Sequence, residues 1–396
     1  MEKKAQKLPA EKGSSPLKRR DFLRLSALGV AGFLTSPSAQ VQGQTVPTPP
    51  VETNIGEILK IPRTKDSMPG PFPGRVVRVD TPSLSQEDGG ERVYKALTMA
   101  LLSLTGEKSL KKAWRRFVSP KDIVGLKLNP IGGTLLSNNP LLVGAVIRGL
   151  REAGLPPSSI FLWDRRLEQL GEAGFTEGRF PGIKVLGTEG KGPDGEYFTG
   201  EGKLWALENL DMEAPSYEAS LEGKYDQETL PFMLNEGTRS YFSKIATRRC
   251  TKIINLPVLK NAGVSVTLSL KNLTYGALSN TGRLHKIWHR SIAEGCAFPC
   301  LRDKAVLHIV DGTKACYDGG PSAVAKFIWS PNLLLLGSDP VSVDSVGYDF
   351  LIQERIERGI QKADSPRGRE FLRLAESFGL GIADPAKIVQ TRLTSS

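Results

Sequence analysis

Polar residues follow five apolar, strand-like runs of the sequence, and their side chains are of types that bind or protonate small charged molecules. The five are Asn129, Asp164, Lys260, Asp311 and Asp339. If the runs are parallel strands of one sheet, their carboxyl ends meet along one crevice, and residues that are distant in sequence come together there. Ammonium, amide and carboxylate groups in one crevice would bind an anion and move protons. The spacing therefore indicates a ligand site more clearly than it indicates a reaction.

The densest group of such residues lies between Lys252 and His289. Lys260 stands at a strand end, and the pair Lys271-Asn272 lies in a following helical stretch. We interpret Lys260, Lys271 and Asn272 as ligands for phosphate or carboxylate, since a lysine in an apolar run is costly to bury without a partner. The alternative is that Lys271 and Asn272 cap the helix by bonding backbone carbonyls.

A second candidate segment begins at the strand that contains Lys127 and Asn129 and continues through Gly132 and Gly133 into a helix. Backbone amides in a turn before a helix amino terminus can receive an anion, so all four residues are candidate ligand contacts. Lys127 and Asn129 are two residues apart on a strand and therefore share a face. A plain turn explains the glycines equally well, because the segment is neither a Walker loop nor a complete dinucleotide-binding fingerprint.

Histidine and aspartate supply the candidates for proton transfer and metal binding. We name His285, Asp311 and Asp164 as candidate catalytic residues. The two arginines that follow Asp164 would keep its carboxylate charged. His285 and His289 are four residues apart, so a helix would project both imidazoles to one side, where they would hold a divalent metal with Asp311, Asp339 or Asp344 as the third ligand. The alternative is a histidine pair that binds substrate or caps the helix.

Two further polar residues have a plainer interpretation. Asp339 stands before Pro340 and has the pattern of a helix cap. His308 lies inside an apolar strand and is typical of a core residue. The sequence has no G-x-S-x-G nucleophile elbow, which argues against an α/β-hydrolase.

The elements that must position these residues alternate in the manner of an α/β protein. Short β-branched runs alternate with longer helical ones from residue 75 onward, which predicts a mostly parallel sheet with helices on both faces. The expected strands cover 75–80, 123–129, 160–164, 183–188, 252–259, 305–310 and 333–337, and the expected helices cover 91–104, 140–153, 240–248, 340–357 and 367–378. Residues 190–237, rich in glycine and acidic residues, indicate an inserted subdomain, either a lid or a small β unit.

The amino-terminal 39 residues have the three regions of a twin-arginine export signal. Arg19 and Arg20 precede an apolar stretch over 25–34 and a run of small residues over 36–39. The apolar stretch is too short for a permanent membrane span, and an uncleaved amphipathic anchor is the alternative. Proline-rich residues 40–74 predict an exposed linker to one domain over 75–396. We therefore expect the twin-arginine export machinery to carry the folded protein to the periplasm or another extracytoplasmic compartment.

Charge and cysteine content limit the class of protein. The formal net charge is +11, of which the first 39 residues hold about +5, and no basic helix carries interleaved aromatic residues. Nucleic-acid binding therefore has little support, and the basic residues of 111–116 are interpreted as a solvated helix face. Cys250, Cys296, Cys300 and Cys316 allow two disulfides with three pairings, or buried free thiols. No C-x-x-C occurs, so we expect no ferredoxin-type iron–sulfur cluster.

Several motifs together resemble one family. LKLNPIGG, FLWDRRL, INLPVLK, VTLSLKNLTYG, HIVDG and GSDPVSVD are similar to those of the family catalogued as domain of unknown function 362, over about residues 75–363. Members are often described as iron–sulfur associated and have no agreed reaction. Members commonly have a histidine two residues after the lysine of NLPVLK, where this chain has Lys260 and then Ala262. Any role of that histidine is therefore either lost here or taken by His285 or His289. This chain also lacks the cysteine-rich segment of some members.

These patterns predict an exported α/β protein that binds an anionic small molecule or cofactor at the carboxyl ends of parallel strands and acts on it. The chemistry would be metal-assisted or redox-linked. The alternative is a non-catalytic binding or accessory protein for an envelope redox system. A structural envelope protein is a third option, and it predicts polar groups that are scattered over the surface and capped locally.

Overall fold

The computed structural model describes residues 50–81, 89–201, 203–221, 238–263, 265–320, 322–365 and 367–395. The proposed export signal over 1–39, the start of the proposed linker, and residues 222–237 of the proposed insertion lie outside the described residues. Among the helices of the described ranges, none combines the length and the apolar character that crossing a membrane requires.

The described residues form a mixed series of strands and helices. The strands are β1 (Arg75–Asp80), β2 (Val124–Lys127), β3 (Ile160–Arg166), β4 (Lys184–Glu189), β5 (Leu210–Asp211), β6 (Tyr217–Glu218), β7 (Arg239–Ser240), β8 (Phe242–Ser243), β9 (Lys252–Asn255), β10 (Val258–Ala262), β11 (Ser265–Thr267), β12 (Ala305–Cys316), β13 (Ile328–Trp329), β14 (Leu333–Gly337) and β15 (Val389–Thr394). The helices are α1 (Ile55–Ile58), α2 (Gly89–Thr105), α3 (Leu110–Arg115), α4 (Pro140–Glu152), α5 (Leu167–Glu172), α6 (Ser269–Ala277), α7 (Thr281–Leu284), α8 (Trp288–Cys296), α9 (Pro299–Arg302), α10 (Pro340–Glu357) and α11 (Glu370–Ser377).

One large sheet organises the protein, with the strand order β15-β1-β14-β12-β9-β2-β3-β4. All neighbours in this order are parallel except β14, which runs antiparallel to both β1 and β12. Beyond this path, β10 pairs in parallel with β12 and antiparallel with β11. The prediction of a mostly parallel sheet is confirmed.

Alternate residues of the strands face two separate hydrophobic cores, one on each side of the sheet. In β3, Ile160 and Leu162 belong to the core that contains residues of α2 and α4, whereas Phe161 and Trp163 belong to the core that contains residues of α6, α8 and α10. Side chains of successive strand residues point to opposite faces, so each core takes every second residue. Helices therefore cover both faces, as the sequence predicts.

On the α6 side, polar residues replace apolar ones near the carboxyl ends of the central strands. Lys127 of β2 is in register with Asn255 of β9, and Asn255 is in register with His308 of β12. All three side chains are fully buried. The sheet thus places a row of polar groups beneath α6, where burial makes hydrogen bonding obligatory.

The linker prediction is wrong for residues 50–74, which pack onto the domain. Ile58, Met68 and Phe72 are buried, and the Arg302 guanidinium donates to the backbone carbonyls of Ile61 at 3.2 Å and Pro62 at 2.9 Å. Regular structure in this segment is limited to the four-residue helix α1, because the prolines at 62, 69, 71 and 73 interrupt the backbone hydrogen bonding of the rest. The apolar residues nevertheless pack into the core, so the composition predicts the mostly irregular backbone correctly and the exposure incorrectly.

The predicted helix over 240–248 is also wrong. The segment forms β7 and β8 and then a π-helical turn, Ile245–Arg249. β7 pairs with β6, and β8 pairs with β5, so the described part of the proposed insertion contributes strands to two small sheets. Phe242 is buried in the core on the α6 side, which favours the extended backbone over the helix.

Candidate functional site

Five buried side chains form a continuous chain of hydrogen bonds between the sheet and α6. Lys260 Nζ donates to Asn129 Oδ1, Asn129 Nδ2 to Asn272 Oδ1 at 2.7 Å, and Asn272 Nδ2 to Asn255 Oδ1 at 2.8 Å, and Asn255 Nδ2 then lies 3.2 Å from His308 Nδ1. Because the members come from β10, the β2 exit, α6, β9 and β12, the chain joins segments that are far apart in sequence. It brings together three predicted ligand residues.

The groups at the two ends of this hydrogen-bond chain determine which atom of each amide donates and which accepts. A lysine ammonium only donates, so Asn129 must present its amide oxygen to Lys260. At the other end, Asn255 Nδ2 also donates to the Ser269 carbonyl at 3.0 Å, so this atom is a nitrogen and His308 Nδ1 must accept. His308 therefore carries its hydrogen on Nε2, and burial lowers its pKa to about 3, so the ring is neutral. All donors point the same way, which strengthens such chains.

A buried ion pair lies beside this chain. Lys127 Nζ pairs with Asp164 Oδ1 and also donates to the Leu128 carbonyl at 2.8 Å and to Asn272 Oδ1 at 3.2 Å. Burial lowers the pKa of Lys127, and the carboxylate of Asp164 opposes that shift. Gly276 of α6 makes room for the pair, since a Cβ there would lie 2.1 Å from Lys127 Cε and 2.4 Å from Nζ.

Lys260 and Lys271 lack a carboxylate partner of this kind. Lys260 is fully buried, and burial, followed by the nearby charge of Lys271, lowers its pKa to about 7. Lys271 is partly buried with its Nζ 5.5 Å from the ring centre of Tyr275, and burial lowers its pKa to about 8. Over the described ranges, Asp164 is the carboxylate that bonds one of the three lysines, and neither Lys260 nor Lys271 has an ion pair.

His285 stands at the solvent edge of this group. Its Nδ1 lies 3.0 Å from the Thr281 carbonyl, so Nδ1 carries the hydrogen and Nε2 keeps a free lone pair. The ring packs edge-on against Tyr275 at 4.9 Å. Although the residue is exposed to solvent on one side, loss of hydration around the ring and the charge of Lys271 lower its pKa to about 4. The imidazole is therefore a neutral acceptor at physiological pH.

Exposure separates a buried interior from an accessible edge. We call Lys127, Asn129, Asp164, Lys260, Lys271 and Asn272 the lysine–asparagine cluster. All of its members except Lys271 are less than a tenth exposed. Two surface clefts, one beside Arg148 and the other beside Arg78, are lined by other residues. The solvent-accessible edge of this region is formed by Lys271 and His285.

Asp164 belongs to the cluster, but its expected arginine partners do not act on it. Arg165 Nε and Arg166 Nε bond Glu189 instead, at 2.6 and 3.2 Å. Arg165 also donates to Thr281 Oγ1, which places its guanidinium near the loop that holds His285. Glu189 on the neighbouring strand thus takes both arginine charges and leaves Lys127 as the partner of Asp164.

Asp311 does not join the cluster. One carboxylate oxygen accepts from the Asn139 backbone at 2.6 Å, and the other accepts from the Thr313 hydroxyl at 2.7 Å and the Thr313 backbone at 3.1 Å. The residue is fully buried, and burial raises its pKa. One oxygen thus holds the segment before α4, and the other holds Thr313 of the same strand. This geometry favours a positioning role for Asp311, and its catalytic role stays a prediction.

Gly132 and Gly133 form a turn rather than an anion cradle. Gly133 donates its backbone N–H to the Pro130 carbonyl at 2.8 Å and has a φ of 57°, which favours glycine. A Cβ on Gly132 would lie 2.1 Å from the Leu136 carbonyl oxygen. The amino end of α4 follows only at Asn139, whose side chain caps it. The plain turn is thus what the segment forms.

The structure does not bring His285 and His289 together. His289 lies 3.0 Å from the Arg367 guanidinium, whereas His285 faces Tyr275. Residues 285–287 form a 3₁₀ turn before α8 begins at Trp288, so the four-residue spacing does not superimpose the rings as a continuous α-helix would. Within the described ranges, no three His, Cys, Asp or Glu side chains form a group able to hold a metal ion.

The cysteines, Asp339 and Asp344 lie outside the lysine–asparagine cluster, and both aspartates accept hydrogen bonds from the amino termini of helices. The four cysteines are free thiols, three of them buried, which is the second of the two expected arrangements. Asp339 caps α10 by accepting from the amides of Val341 and Ser342, as predicted. Asp344 accepts from the first amides of α6, Ser269 at 2.6 Å and Leu270 at 2.9 Å. Burial raises the pKa of Asp344 to about 7.

Sequence reasoning missed Asn255, Gly276 and the contribution of His308 to the chain. Asn255 is the last residue of β9, two residues before Pro257, and its position inside an apolar strand was the available signal. His308 lies on an apolar strand and was interpreted as a core residue. Its in-register neighbour Asn255 is the feature that makes it part of the polar chain, and register between distant strands is not visible in one sequence.

Comparisons with known proteins support the family but no activity. A search of functionally curated proteins found no significant match. A crystal structure of a protein from Thermotoga maritima is similar with a TM-score of 0.37 and 10% identity, over 67% of this chain and 59% of that chain. The model of the family described as "Domain of unknown function (DUF362)" matches residues 124–349, which include the whole lysine–asparagine cluster. The chain therefore belongs to the DUF362 family.

Proposed function

We propose that the protein binds an anionic small molecule or cofactor at the accessible edge of the lysine–asparagine cluster and acts on it. The observation that carries this proposal is the charge balance, because three neighbouring lysines share one carboxylate among the described residues. Burying an ammonium group without a counter-ion is strongly unfavourable. Either the lysines lose their protons or an anion supplies the missing charge.

The pKa shifts favour an anion as the partner in the working state. With pKa values of about 7 for Lys260 and about 8 for Lys271, both amines are close to their titration points at neutral pH. An anion at Lys271 would raise both values and hold both lysines protonated. In this scheme Lys271 contacts the ligand, while Asn129 and Asn272 hold Lys260 and Lys127 behind it. His285 Nε2 is positioned to accept a hydrogen bond or a proton from the ligand.

The observed contacts do not support the alternative that Lys271 and Asn272 only cap the helix. Asn272 bonds Asn129, Lys127 and Asn255 through its side chain, and Lys271 stacks on Tyr275 rather than bonding a carbonyl. A purely structural polar core would be expected to pair its charges, because uncompensated buried charge destabilises the fold.

Calorimetric titration with inorganic phosphate tests the proposal. We expect binding at pH 6.5 that weakens as the pH rises past 8, because the free protein then loses the lysine protons. Lys271→Met should abolish binding, whereas Lys111→Met, on the exposed surface of α3, should leave it intact. Absence of binding to phosphate, sulfate and oxalate at pH 6.5 would overturn the proposal. Mass spectrometry of ligands released from natively purified protein would identify the natural anion.

We also propose that the chain is exported in folded form by the twin-arginine route, with the envelope as its working compartment. The support is the order of Arg19-Arg20, the apolar stretch and the small residues. Replacing both arginines with lysine should leave the full-length protein in the cytoplasmic fraction, while the wild type reaches the extracytoplasmic fraction. Equal distribution of the two would contradict export by this route.

A further inference from the structure

Lys271 differs from its two neighbours in how its amine is held. Lys127 Nζ is ion-paired and fully buried, and Lys260 Nζ is fully buried and donates to Asn129. Lys271 is partly exposed, and in the described chain its Nζ has a ring contact with Tyr275 but neither a hydrogen-bond acceptor nor a carboxylate. Of the three amines, Lys271 is the one that a ligand can reach without breaking an existing bond.

The surroundings of this amine favour its uncharged, nucleophilic form. Burial lowers the pKa of Lys271 to about 8, so a larger share of this partly exposed amine than of a fully solvated lysine is uncharged at neutral pH. A partly desolvated lysine whose amine bonds no acceptor can attack a carbonyl carbon. On the open side, the uncharged His285 can accept a hydrogen bond from a reacting group.

We propose that Lys271 condenses with the carbonyl group of an anionic aldehyde or ketone and forms an imine. The inference rests on the anion site proposed above, which would hold the charged group of the same ligand. The amine nitrogen of Lys271 attacks the carbonyl carbon, and a carbinolamine forms. The carbonyl oxygen then leaves as water with the two hydrogens lost by the amine nitrogen, so the step needs no oxidant or reductant.

Reductive trapping on the wild-type chain tests the imine directly. The probe is pyridoxal 5′-phosphate, an aldehyde that carries a phosphate group, and sodium borohydride converts any imine to a stable secondary amine. Peptide mass spectrometry then compares the label on Lys271 with the label on Lys111, an exposed lysine of α3. At pH 7 we expect at least about tenfold faster labelling of Lys271, because a larger fraction of its amine is neutral.

Two controls separate the imine from the anion site. Inorganic phosphate should protect Lys271 from the probe, and pyridoxal without the phosphate should label it far less selectively. If phosphate binds by calorimetry but Lys271 is labelled no faster than Lys111, the imine proposal is overturned and the anion site stands. If Lys271 is labelled selectively by both aldehydes and phosphate neither binds nor protects, the imine proposal stands and the anion site is overturned.

A variant confirms the position of the imine. Lys271→Met should lose the visible absorption band of the pyridoxal 5′-phosphate imine, whereas Lys111→Met should keep it. Retention of the band in a folded Lys271→Met protein would place the imine on another lysine and overturn the assignment. If Lys271→Met does not fold, the wild-type peptide map alone decides the question.

Discussion

Replacing Lys260 with methionine should stabilise the ligand-free protein below neutral pH. Its pKa falls from 10.5 to about 7 on folding, so the protonated side chain costs the folded state about 3–5 kcal/mol. Methionine fills nearly the same space without the charge. It leaves the Asn129 amide oxygen without its donor, which costs about 1–3 kcal/mol. The net expectation is a gain of about 2 kcal/mol in the free energy of unfolding at pH 6.

The pH dependence has a definite sign. Below pH 7 both the folded and the unfolded chain hold the Lys260 proton, so the folded state bears the full penalty. Between pH 7 and 10.5 the unfolded chain binds more protons than the folded one, and the stability contributed by this group rises with pH. The advantage of Lys260→Met should therefore shrink by about 3 kcal/mol between pH 6 and pH 9 and be lost by pH 9.

Urea unfolding followed by tryptophan fluorescence measures both quantities at pH 6, 7.5 and 9. Lys111→Met is the matched control and should show no pH-dependent difference from the wild type. Added phosphate should stabilise the wild type at pH 6 and affect Lys260→Met less, because one of the compensated charges is gone. A variant that is less stable than the wild type at pH 6, or a difference independent of pH, would refute the charge-balance reasoning.

Three further perturbations examine neighbouring parts of the site. Gly276→Ala should lower the free energy of unfolding in urea by about 2–4 kcal/mol, because the new Cβ meets the ammonium end of Lys127. The control Gly144→Ala, with no atom within 4 Å of the new Cβ, should be neutral or slightly stabilising. Equal effects of the two substitutions would contradict the steric account. In the wild type, the raised pKa of Asp344 lets the folded state bind more protons than the unfolded state between pH 4 and pH 7, so the free energy of unfolding falls as the pH rises through this range. Asp344→Asn should make this fall smaller. An unchanged slope of the free energy of unfolding against pH would exclude this carboxyl as a contributor. In heteronuclear NMR, His285 and His308 should stay neutral at pH 6 with the hydrogen on Nδ1 and Nε2 respectively, and a charged ring or the opposite tautomer would be inconsistent with the hydrogen-bond chain.

Much of the lysine–asparagine cluster is predictable from the sequence, because its members follow strand ends. Asn129, Asp164 and Lys260 follow strands that the alternation of apolar runs predicts well, and parallel pairing brings their ends together. Lys271 and Asn272 lie beside these strand ends because α6, which contains both residues, begins directly after the β10–β11 hairpin and packs over the same strands. Periodicity and topology rules therefore suffice where a side chain is placed by a regular element.

The misplaced residues are those whose polar groups satisfy the local backbone. Asp311 and the glycines at 132 and 133 have the residue types of a ligand site, but their hydrogen bonds and turn geometry hold the segment before α4. A short polar side chain can bond either a nearby backbone group or a ligand, and a single sequence does not show which of the two it bonds. His285 and His289 have different partners for a related reason, since a 3₁₀ turn interrupts the continuous helix that their spacing assumes.

The choice of amides rather than carboxylates around Lys260 links the stability of the fold to its proposed ligand. An aspartate at position 129 would neutralise Lys260 at a similar distance and remove the energetic cost of the buried charge. Asn129 and Asn272 instead continue the chain of hydrogen bonds to Asn255 and His308. The low pKa of His308 keeps its ring uncharged. No member of this hydrogen-bond chain carries a negative charge, and the charge of Asp164 offsets only part of the shift that lowers the pKa of Lys260. The rest of the cost is relieved by deprotonation of Lys260 or by an added anion. Under the proposed function, the same feature that destabilises the protein at low pH would make the cluster respond to an anion.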